Sequence, residues 1–330
     1  MMLRSNLWEL AKEIIQNNQS FILTSHINPD GDALGSEIAL AEYLRSIGKQ
    51  ATIVNNSPTA RNYRFLDPGN EIVIFDKNTH NGILESADAF FILDISDWGR
   101  LREIGEIIQS LQKPKVCIDH HHCTNHFTEI DIIDQRASST GEMMFDFLSF
   151  LGATFTKRIS TALYTCVLTD TGSFRFSNTN SKAHIIAAKM LSNGVNPHHI
   201  YQEVYEKNSQ SKMKLLGSIL KNLRYECHGR LAWFNITQDM LVQAGANIWD
   251  TEGFPEIPRS IDGVEVSMMF TELEARKTKI SLRSKGNTVV NTVAMKFGGG
   301  GHQFASGAVL DSPIKDANAM VLEEARQLFI

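Results

Sequence analysis

Residues 21–32 read FILTSHINPDGD, a short apolar run followed at once by a histidine and two aspartates. The run Phe21–Thr24 predicts a buried strand. Four similar runs alternate with helical patterns through the first half of the chain: Thr52–Val54, Ile72–Phe75, Ala89–Leu93 and Val116–Ile118. This alternation is typical of a parallel α/β sheet with crossover helices, so we expect that fold class.

The predicted helices of this first half are spaced between and after the strands. They are Met1–Gln16, Ala33–Ile47, Trp98–Leu111, Ser139–Phe150 and Lys157–Leu168. Ser139 and Glu142 have the spacing of a capping box at the start of the fourth helix. The alternation of strands and helices therefore continues to about residue 170.

The second half begins with a helical, polar stretch and continues into a smaller α/β or α+β module. Its predicted strands are Leu231–Ile236, Val264–Thr271 and Lys279–Arg283, and its predicted helices are Gln238–Ala246, Thr288–Phe297 and Ile314–Phe329. We therefore expect a parallel-sheet domain at 1–190, a helical connector at 191–228 and a smaller α/β domain at 229–330.

Composition narrows the class of partner and the compartment. The chain of 330 residues has 32 Lys and Arg against 37 Asp and Glu, a net charge of −5, which argues against a broad basic surface for long nucleic acid. A short anionic substrate remains compatible with this charge. No run reaches membrane-spanning length and the N-terminal helix lacks a signal-peptide centre, so we expect a soluble cytoplasmic protein with no membrane partner. Cys117, Cys123, Cys166 and Cys227 form no CxxC pair and are expected to be reduced and structural.

Acids and histidines follow three of the predicted strands. Asp94 follows Ala89–Leu93, and Asp119-His120-His121 follows Val116–Ile118. Because ligands of open parallel sheets bind beyond the carboxyl ends of the strands, these groups should converge with those of residues 26–32. Asp170, at the end of a predicted helix, could reach the same edge. Taken singly, these residues would be an N-cap, a polar loop and a helix stop.

Clustered carboxylates need cations, because burying unpaired like charges is costly. Oxygen ligands with imidazole and without thiolate favour Mn²⁺, with Mg²⁺ and Fe²⁺ as alternatives. One ion would be bound by His26, Asp30 and Asp94, and a second by Asp32, Asp94, His120 and Asp170. Asp94 would bridge the two ions. Two such metals activate water for attack at phosphorus, so the reaction class is phosphoester hydrolysis.

A second cluster of interest is Gly298, Gly299, Gly300 and Gly301, followed by His302. Consecutive glycines let backbone N–H groups approach an anion closely, although a flexible turn is the simpler interpretation. Arg283, at the end of a predicted strand of the same module, adds a cation suited to phosphate. The module is therefore a candidate phosphate-binding region.

These motifs together resemble the DHH phosphoesterase superfamily, named for the triplet present here as Asp119-His120-His121. The resemblance covers nearly the whole chain and is closest to the bacterial bifunctional oligoribonuclease and PAP phosphatase branch, which has a C-terminal DHH-associated substrate domain. It implies two Mn²⁺ ions in the first domain. It also implies substrate contacts from Arg283 and Gly298–His302, and a role for His121 near the scissile phosphate. Arg100 matches a recurrent arginine, which could equally form a structural ion pair, and His122 departs from the proline more usual there.

The resemblance implies hydrolysis of very short RNA to 5′-mononucleotides and of 3′-phosphoadenosine 5′-phosphate (pAp) to AMP. A phosphodiesterase for cyclic or linear dinucleotides is a close alternative. The short chain after the glycine-rich module disfavours a RecJ-type exonuclease for single-stranded DNA. A regulator that binds nucleotide without catalysis is disfavoured because every predicted metal ligand is present. The sequence leaves the oligomeric state open and is compatible with a homodimer.

Overall fold

Six strands form a parallel sheet in the first half of the chain. They are β1 (Ser20–Thr24), β2 (Gln50–Asn55), β3 (Val73–Ile74), β4 (Ala89–Leu93), β5 (Lys115–Asp119) and β6 (Ile130–Ile133). Their spatial order is β3-β2-β1-β4-β5-β6, and every pairing is parallel. All five residues of β4 are buried, because helices cover both faces of such a sheet. The predicted α/β class is confirmed.

This architecture comes from a computed structural model that describes residues 2–121 and 127–329. The chain divides into two compact units, Met1–Lys207 and Asn208–Ile330. The helices of the first unit are α1 (Met2–Asn17), α2 (Gly31–Ser46), α3 (Lys77–Ser86), α4 (Arg102–Ser110), α5 (Thr140–Phe150), α6 (Lys157–Asp170), α7 (Ser181–Ser192) and α8 (Pro197–Tyr205).

Two local features of the first unit differ from the predictions. The single helix expected at Trp98–Leu111 is a 3₁₀ turn over Trp98–Leu101 followed by α4, with Arg102 at a positive φ of 49° between them. At α5, the Ser139 hydroxyl accepts the Glu142 N–H at 3.0 Å, but the Glu142 carboxylate accepts from Ser138. Only half of the expected capping box is therefore present.

Glycine permits the close approach of α2 to α6. A Cβ on Gly35 would lie 2.5 Å from the carbonyl oxygen of Ala162. The two helix axes can therefore approach each other more closely than side chains would allow. This packing fixes the start of α2 against α6, whose last residue is Asp170.

The second unit contains a mixed six-stranded sheet. Its strands are β7 (Arg224–Glu226), β8 (Leu231–Ile236), β9 (Val266–Glu274), β10 (Lys277–Ser284), β11 (Gly300–His302) and β12 (Ala305–Leu310), in the order β11-β12-β10-β9-β8-β7. Only the β8–β9 pairing is parallel among those described. The helices are α9 (Gln210–Lys221), α10 (Gln238–Ala244), α11 (Asn291–Lys296) and α12 (Ile314–Arg326).

Each face of this second sheet carries its own core. Ile280 and Leu282 pack with residues of α11 and α12, whereas Phe234 and Met269 pack on the opposite face with residues of α9 and α10. Because side chains alternate along a strand, Arg283 lies on the same face as Met269.

The expected connector, residues 191–228, is shared between the units. Helices α7 and α8 pack in the first unit, and α9 belongs to the second. The role of this stretch as a connector stays a prediction. Across the described part of the chain, no helix has the length and apolarity needed to span a bilayer.

Candidate metal centre

The carboxyl edge of the first sheet collects the acids and histidines expected there. His26 follows β1, Asp94 follows β4, and His120 follows β5, while α2 and α6 contribute the remaining carboxylates. Three groups made only of first-unit residues have ligand atoms within 4.8 Å of one another: His26, Asp30 and Asp94; Asp32, His120 and Asp170; Asp94, Asp119 and His121. All six predicted metal ligands are therefore brought together.

Both histidines of the first two groups are oriented by main-chain carbonyls. The Nδ1 of His26 lies 2.9 Å from the Ile27 oxygen, and that of His120 lies 3.3 Å from the Ala137 oxygen. Because a carbonyl only accepts, Nδ1 carries the proton in each ring. The Nε2 atoms accordingly face the carboxylates. In His26, Nε2 is 3.5 Å from Asp94 Oδ2, and in His120 it is 3.6 Å from Asp170 Oδ2.

Asp32 belongs to the first turn of α2, and its side chain lies at the N-terminus of α5. Its two carboxylate oxygens accept the backbone N–H groups of Thr140 at 2.7 Å and Gly141 at 2.8 Å. A helix N-terminus favours negative charge, so α5 holds this buried carboxylate in one orientation. The side chain of Asp32 is only 1% exposed.

Asp94 has a strained backbone. Its φ is 60°, a left-handed conformation that non-glycine residues adopt infrequently and that recurs at functional sites. The hydroxyl of Thr140 donates to Asp94 Oδ1 at 2.9 Å. Sequence reasoning missed Thr140, because a threonine in the first turn of a helix carries no signal of its own.

Asp30 has a structural role as well as a place in the cluster. Its Oδ1 accepts the N–H groups of Asp32 and Ala33, at 2.9 and 3.2 Å. It is therefore the N-cap of α2, as the simpler interpretation held.

The charges of this edge perturb one another strongly. Burial opposes the charged form of His120, but Asp170, Asp32 and Asp94 outweigh it and raise its pKa to about 10. Burial raises the pKa of Asp170 to about 6 against the effect of His120. Burial, followed by the charges of Asp94 and Asp170, raises the pKa of Asp32 well above its ordinary value. Several buried carboxylates thus lie close together, and a bound cation would neutralise their negative charge.

Burial would by itself raise the pKa of Asp94, but the hydrogen bond and charge of His26, with the charges of His121 and His120, hold that pKa below its usual range. The pKa of His26 is raised. Burial lowers it, and the hydrogen bond to Asp94 and the charges of Asp30 and Asp94 more than compensate. The neighbouring imidazoles thus favour the ionised form of Asp94.

A buried acid lies behind His26. The Oε2 of Glu37 accepts from the amide of Asn55 at 2.9 Å, and the Asn55 oxygen accepts the N–H of Ser25 at 3.2 Å. Burial raises the pKa of Glu37 to about 8, although the Asn55 hydrogen bond opposes this. Sequence reasoning missed this residue, since a lone Glu in an amphipathic helix resembles a solvent-facing charge.

His121 is oriented by the acid of its own triplet. The Oδ1 of Asp119 lies 2.7 Å from His121 Nδ1 and also accepts the His121 N–H. The pKa of Asp119 is lowered, because this hydrogen bond and the charge of His121 outweigh burial. Asp119 therefore fixes the orientation of the His121 ring through Nδ1. His122 and Cys123 lie outside the described residues.

Arg100 is exposed, in the 3₁₀ turn beside His26. Its main-chain oxygen accepts the Ile27 N–H at 3.0 Å. Within residues 2–121 and 127–329, no carboxylate forms an ion pair with its side chain. The alternative of a structural ion pair therefore finds no support in the described residues.

The glycine-rich run of the second unit is partly a strand. Residues Gly300–His302 form β11, the last strand of the sheet, where sequence reasoning favoured a loop. A Cβ on Gly299 would lie 2.1 Å from the Gly307 oxygen, and one on Gly301 would lie 2.6 Å from the Ala305 oxygen. Close strand packing thus requires these two glycines. Gly298 and Gly300 have open space around them.

The residues of the first unit fit a divalent-metal site by their chemistry. The groups pair oxygen donors with imidazole nitrogens whose Nδ1 is already engaged, the arrangement usual for metal-binding histidines. Asp119 Oδ2 is buried and accepts no hydrogen bond from the described residues. The acidic and histidine groups at this edge could therefore bind metal.

Comparisons with known proteins agree with this geometry. Residues 20–170 match the model of the DHH family, N-terminal domain, and residues 238–330 match that of the DHHA1 domain. The bifunctional oligoribonuclease and PAP phosphatase NrnA of Thermus thermophilus is 30% identical over 97% of this chain and 94% of that protein. The chain belongs to the DHH family. The Bacillus subtilis protein of the same name is 27% identical over 89% of this chain and 90% of its own length.

Solved DHH structures extend the comparison. An exopolyphosphatase-related protein from Bacteroides fragilis superposes with a TM-score of 0.91 at 29% identity, covering 97% of this chain and 95% of its own. RecJ from Thermus thermophilus, crystallised with Mn²⁺, shares the fold at 12% identity, with a TM-score of 0.54, over 98% of this chain and 55% of RecJ. The resemblance to DHH proteins inferred from the sequence motifs is confirmed.

Proposed function

We propose that this DHH protein is a metal-dependent hydrolase that releases 5′-mononucleotides from very short oligoribonucleotides and converts pAp to AMP. The observation that carries the proposal is His120, whose Nε2 faces Asp32, Asp94 and Asp170 at 3.6–3.8 Å from a main-chain-oriented ring. Relatives of nearly equal length are named bifunctional oligoribonuclease and PAP phosphatase, which supports the substrate class.

Two divalent ions are assigned to the site, with Mn²⁺ preferred. His26, Asp30 and Asp94 would bind one, and Asp32, His120 and Asp170 the other, with Asp94 shared. When bound, such ions activate water and neutralise charge on a phosphate oxygen. The residues of the chain contribute position: α5 holds Asp32, Thr140 holds Asp94, and two main-chain carbonyls hold the imidazoles.

The two proposed reactions break the same bond. In a short RNA and in pAp alike, water adds its oxygen to phosphorus while the bond from phosphorus to the ribose 3′-oxygen breaks. The electron pair stays on the 3′-oxygen, which takes up a proton to become a hydroxyl. His121, held through Nδ1 by Asp119, is assigned as the proton donor or as a substrate contact.

The second unit is assigned to substrate binding. Arg283, His302 and the open positions Gly298 and Gly300 are the proposed contacts for phosphate or nucleotide, and Arg100 is a proposed contact from the first unit. A guanidinium is suited to phosphate because it can donate two parallel hydrogen bonds.

The test is turnover of a substrate panel with Mn²⁺: pAp, RNA of two to five nucleotides, single-stranded DNA, linear and cyclic dinucleotides, and pyrophosphate. Preference for short RNA together with pAp hydrolysis is the expected result. Preference for a dinucleotide or for DNA would move the substrate assignment, and tight nucleotide binding without turnover would indicate a regulator.

A further inference from the structure

Three charged residues of the second unit form a cluster that the metal centre does not use. Glu256 ends the 3₁₀ turn Phe254–Glu256, Arg259 lies in the next turn, and Arg283 lies on β10. Glu256 Oε1 accepts from Arg283 Nε at 2.7 Å, and its Oε2 accepts from Arg259 Nη1. One carboxylate thus bridges two guanidinium groups.

The bridge leaves donors of Arg283 available. Its Nε is engaged by Glu256 and its Nη1 donates to the Leu282 oxygen at 3.0 Å. An arginine has five N–H donors. The Nη2 group of Arg283 makes no hydrogen bond to a described residue. The side chain is 29% exposed and that of Arg259 is 20% exposed, so solvent reaches both. Glu256 holds the guanidinium of Arg283 from one side and leaves the other side for a ligand.

The cluster retains positive charge. Two guanidinium groups face one carboxylate, and Lys279 lies on the same face of β10 as Arg283, two alternations along the strand. The face therefore favours an anion with several oxygens. The donors of Arg283 that Glu256 and the Leu282 oxygen leave available suit phosphate oxygens, which accept charge-assisted hydrogen bonds from a guanidinium.

We propose that Arg259 and Arg283 form a two-arginine clamp for the phosphate of a nucleotide, with Glu256 as the positioning residue that sets the distance between them. The inference rests on the proposed function for its substrate class. It assigns a second phosphate contact, Arg259, and a role for an acid that an anionic substrate would otherwise avoid.

Removing the charge of Glu256 distinguishes positioning from simple electrostatics. A carboxylate repels phosphate, so Glu256→Gln would tighten nucleotide binding if charge alone mattered. If Glu256 positions the guanidinium groups, the same change weakens binding, because the arginines must be ordered again on binding. The two interpretations therefore predict opposite changes in nucleotide affinity for Glu256→Gln.

The experiment uses the full chain in Mn²⁺ buffer and measures 5′-AMP binding by calorimetry, with KM and kcat for pAp. We expect Glu256→Gln and Arg259→Gln each to weaken AMP binding and raise KM by about 10-fold, with kcat within about twofold, the loss of a charge-assisted contact. The matched control is Glu265→Gln, which removes the Arg230–Glu265 pair of the same unit, 2.8 Å between Nε and Oε1, and should change neither.

Unchanged or tighter AMP binding in Glu256→Gln overturns the positioning role, and wild-type binding in Arg259→Gln overturns the clamp. Arg259→Gln also provides the test if Glu256→Gln does not fold. If the wild-type chain binds AMP but hydrolyses nothing in the panel, the proposed function fails while weaker binding by the variants still supports the clamp. If pAp is hydrolysed and both variants match the wild type, the clamp alone fails.

Discussion

Arg283 and His302 lie on the same face of the second sheet with only Ala305 between them. Arg283 on β10 is directly opposite Ala305 on β12, which is directly opposite His302 on β11. Residues opposite each other in antiparallel pairs share a face, so the two Cα atoms are two strand spacings apart, about 10 Å. At this separation, the contacts proposed for Arg283 and His302 would fall on different parts of one nucleotide.

Asp94→Asn should abolish hydrolysis. Asp94 is shared by two of the ligand groups, and losing even an outer partner of a metal ligand commonly costs 10- to 100-fold, so we expect a loss of at least about 100-fold. Turnover of pAp with Mn²⁺ is the measurement. Glu129→Gln, which removes the pair between the exposed Glu129 and the buried Lys115, far along β5 from the cluster, is the control and should keep full activity. Substantial turnover by Asp94→Asn would exclude a bridging role.

Adding Mn²⁺ should stabilise the chain and release protons. At a hundredfold excess over Kd, a single bound ion adds about 2.7 kcal/mol to the free energy of unfolding. His120, with a pKa of about 10, is protonated at pH 7.5, and an ion on Nε2 would displace that proton. Calorimetry in two buffers of different ionisation enthalpy measures the release. His120→Gln should reduce it, and a binding heat independent of buffer would contradict the assignment.

Glu37→Gln should stabilise the metal-free chain at neutral pH. The folded-state pKa of Glu37, about 8, is above its ordinary value of 4.5. The folded state therefore binds a proton that the unfolded state has lost, and stability falls as pH rises from about 4.5 to 8. At pH 7, the raised pKa of Glu37 lowers the free energy of unfolding by about 3 kcal/mol. Urea unfolding in EDTA should show the variant more stable at pH 7 and equal to wild type near pH 4. An equal difference at both pH values would refute this.

Gly141→Ala should weaken both fold and site. The new Cβ would lie 2.1 Å from the Cβ of Cys166, so α5 must shift away from α6. Such overpacking costs about 1–3 kcal/mol and would move the N–H that holds Asp32. Thermal unfolding and Mn²⁺ affinity should both fall.

The matched control for this variant is Gly217→Ala. Gly217 lies within α9, and nothing is within 4 Å of the added Cβ. Replacing a helical glycine by alanine in open space should stabilise the chain by about 0.5–1 kcal/mol. A Gly141→Ala chain as stable as this control would show that the α5–α6 contact can relax.

The sequence was informative where one physical rule dominated. The strand Ala89–Leu93 coincides with its predicted bounds, because a strand buried on both faces must be continuously apolar. The convergence of Asp94 and His120 followed from the rule for carboxyl ends of parallel strands. Local patterns failed for β6, a short edge strand with Asp131 inside it, and for β11, whose glycines carry no strand signal.

Long-range partners were beyond the sequence. Thr140 and Glu256 matter through contacts 46 and 27 residues away, with Asp94 and Arg283. Neither belongs to a periodic pattern, so their roles emerge only when the chain is folded.

The Nδ1 atoms of His26 and His120 are both engaged by main-chain carbonyl oxygens. Carbonyl oxygens are present whatever residues occupy positions 27 and 137, so substitutions there leave the tautomer of each ring unchanged. The tautomers of the two imidazoles thus do not depend on which side chains occupy these two positions. A change in metal preference, by evolution or by engineering, must therefore act through the carboxylates and the residues that hydrogen-bond to them. Thr140, which donates to Asp94, is the first of these residues to substitute.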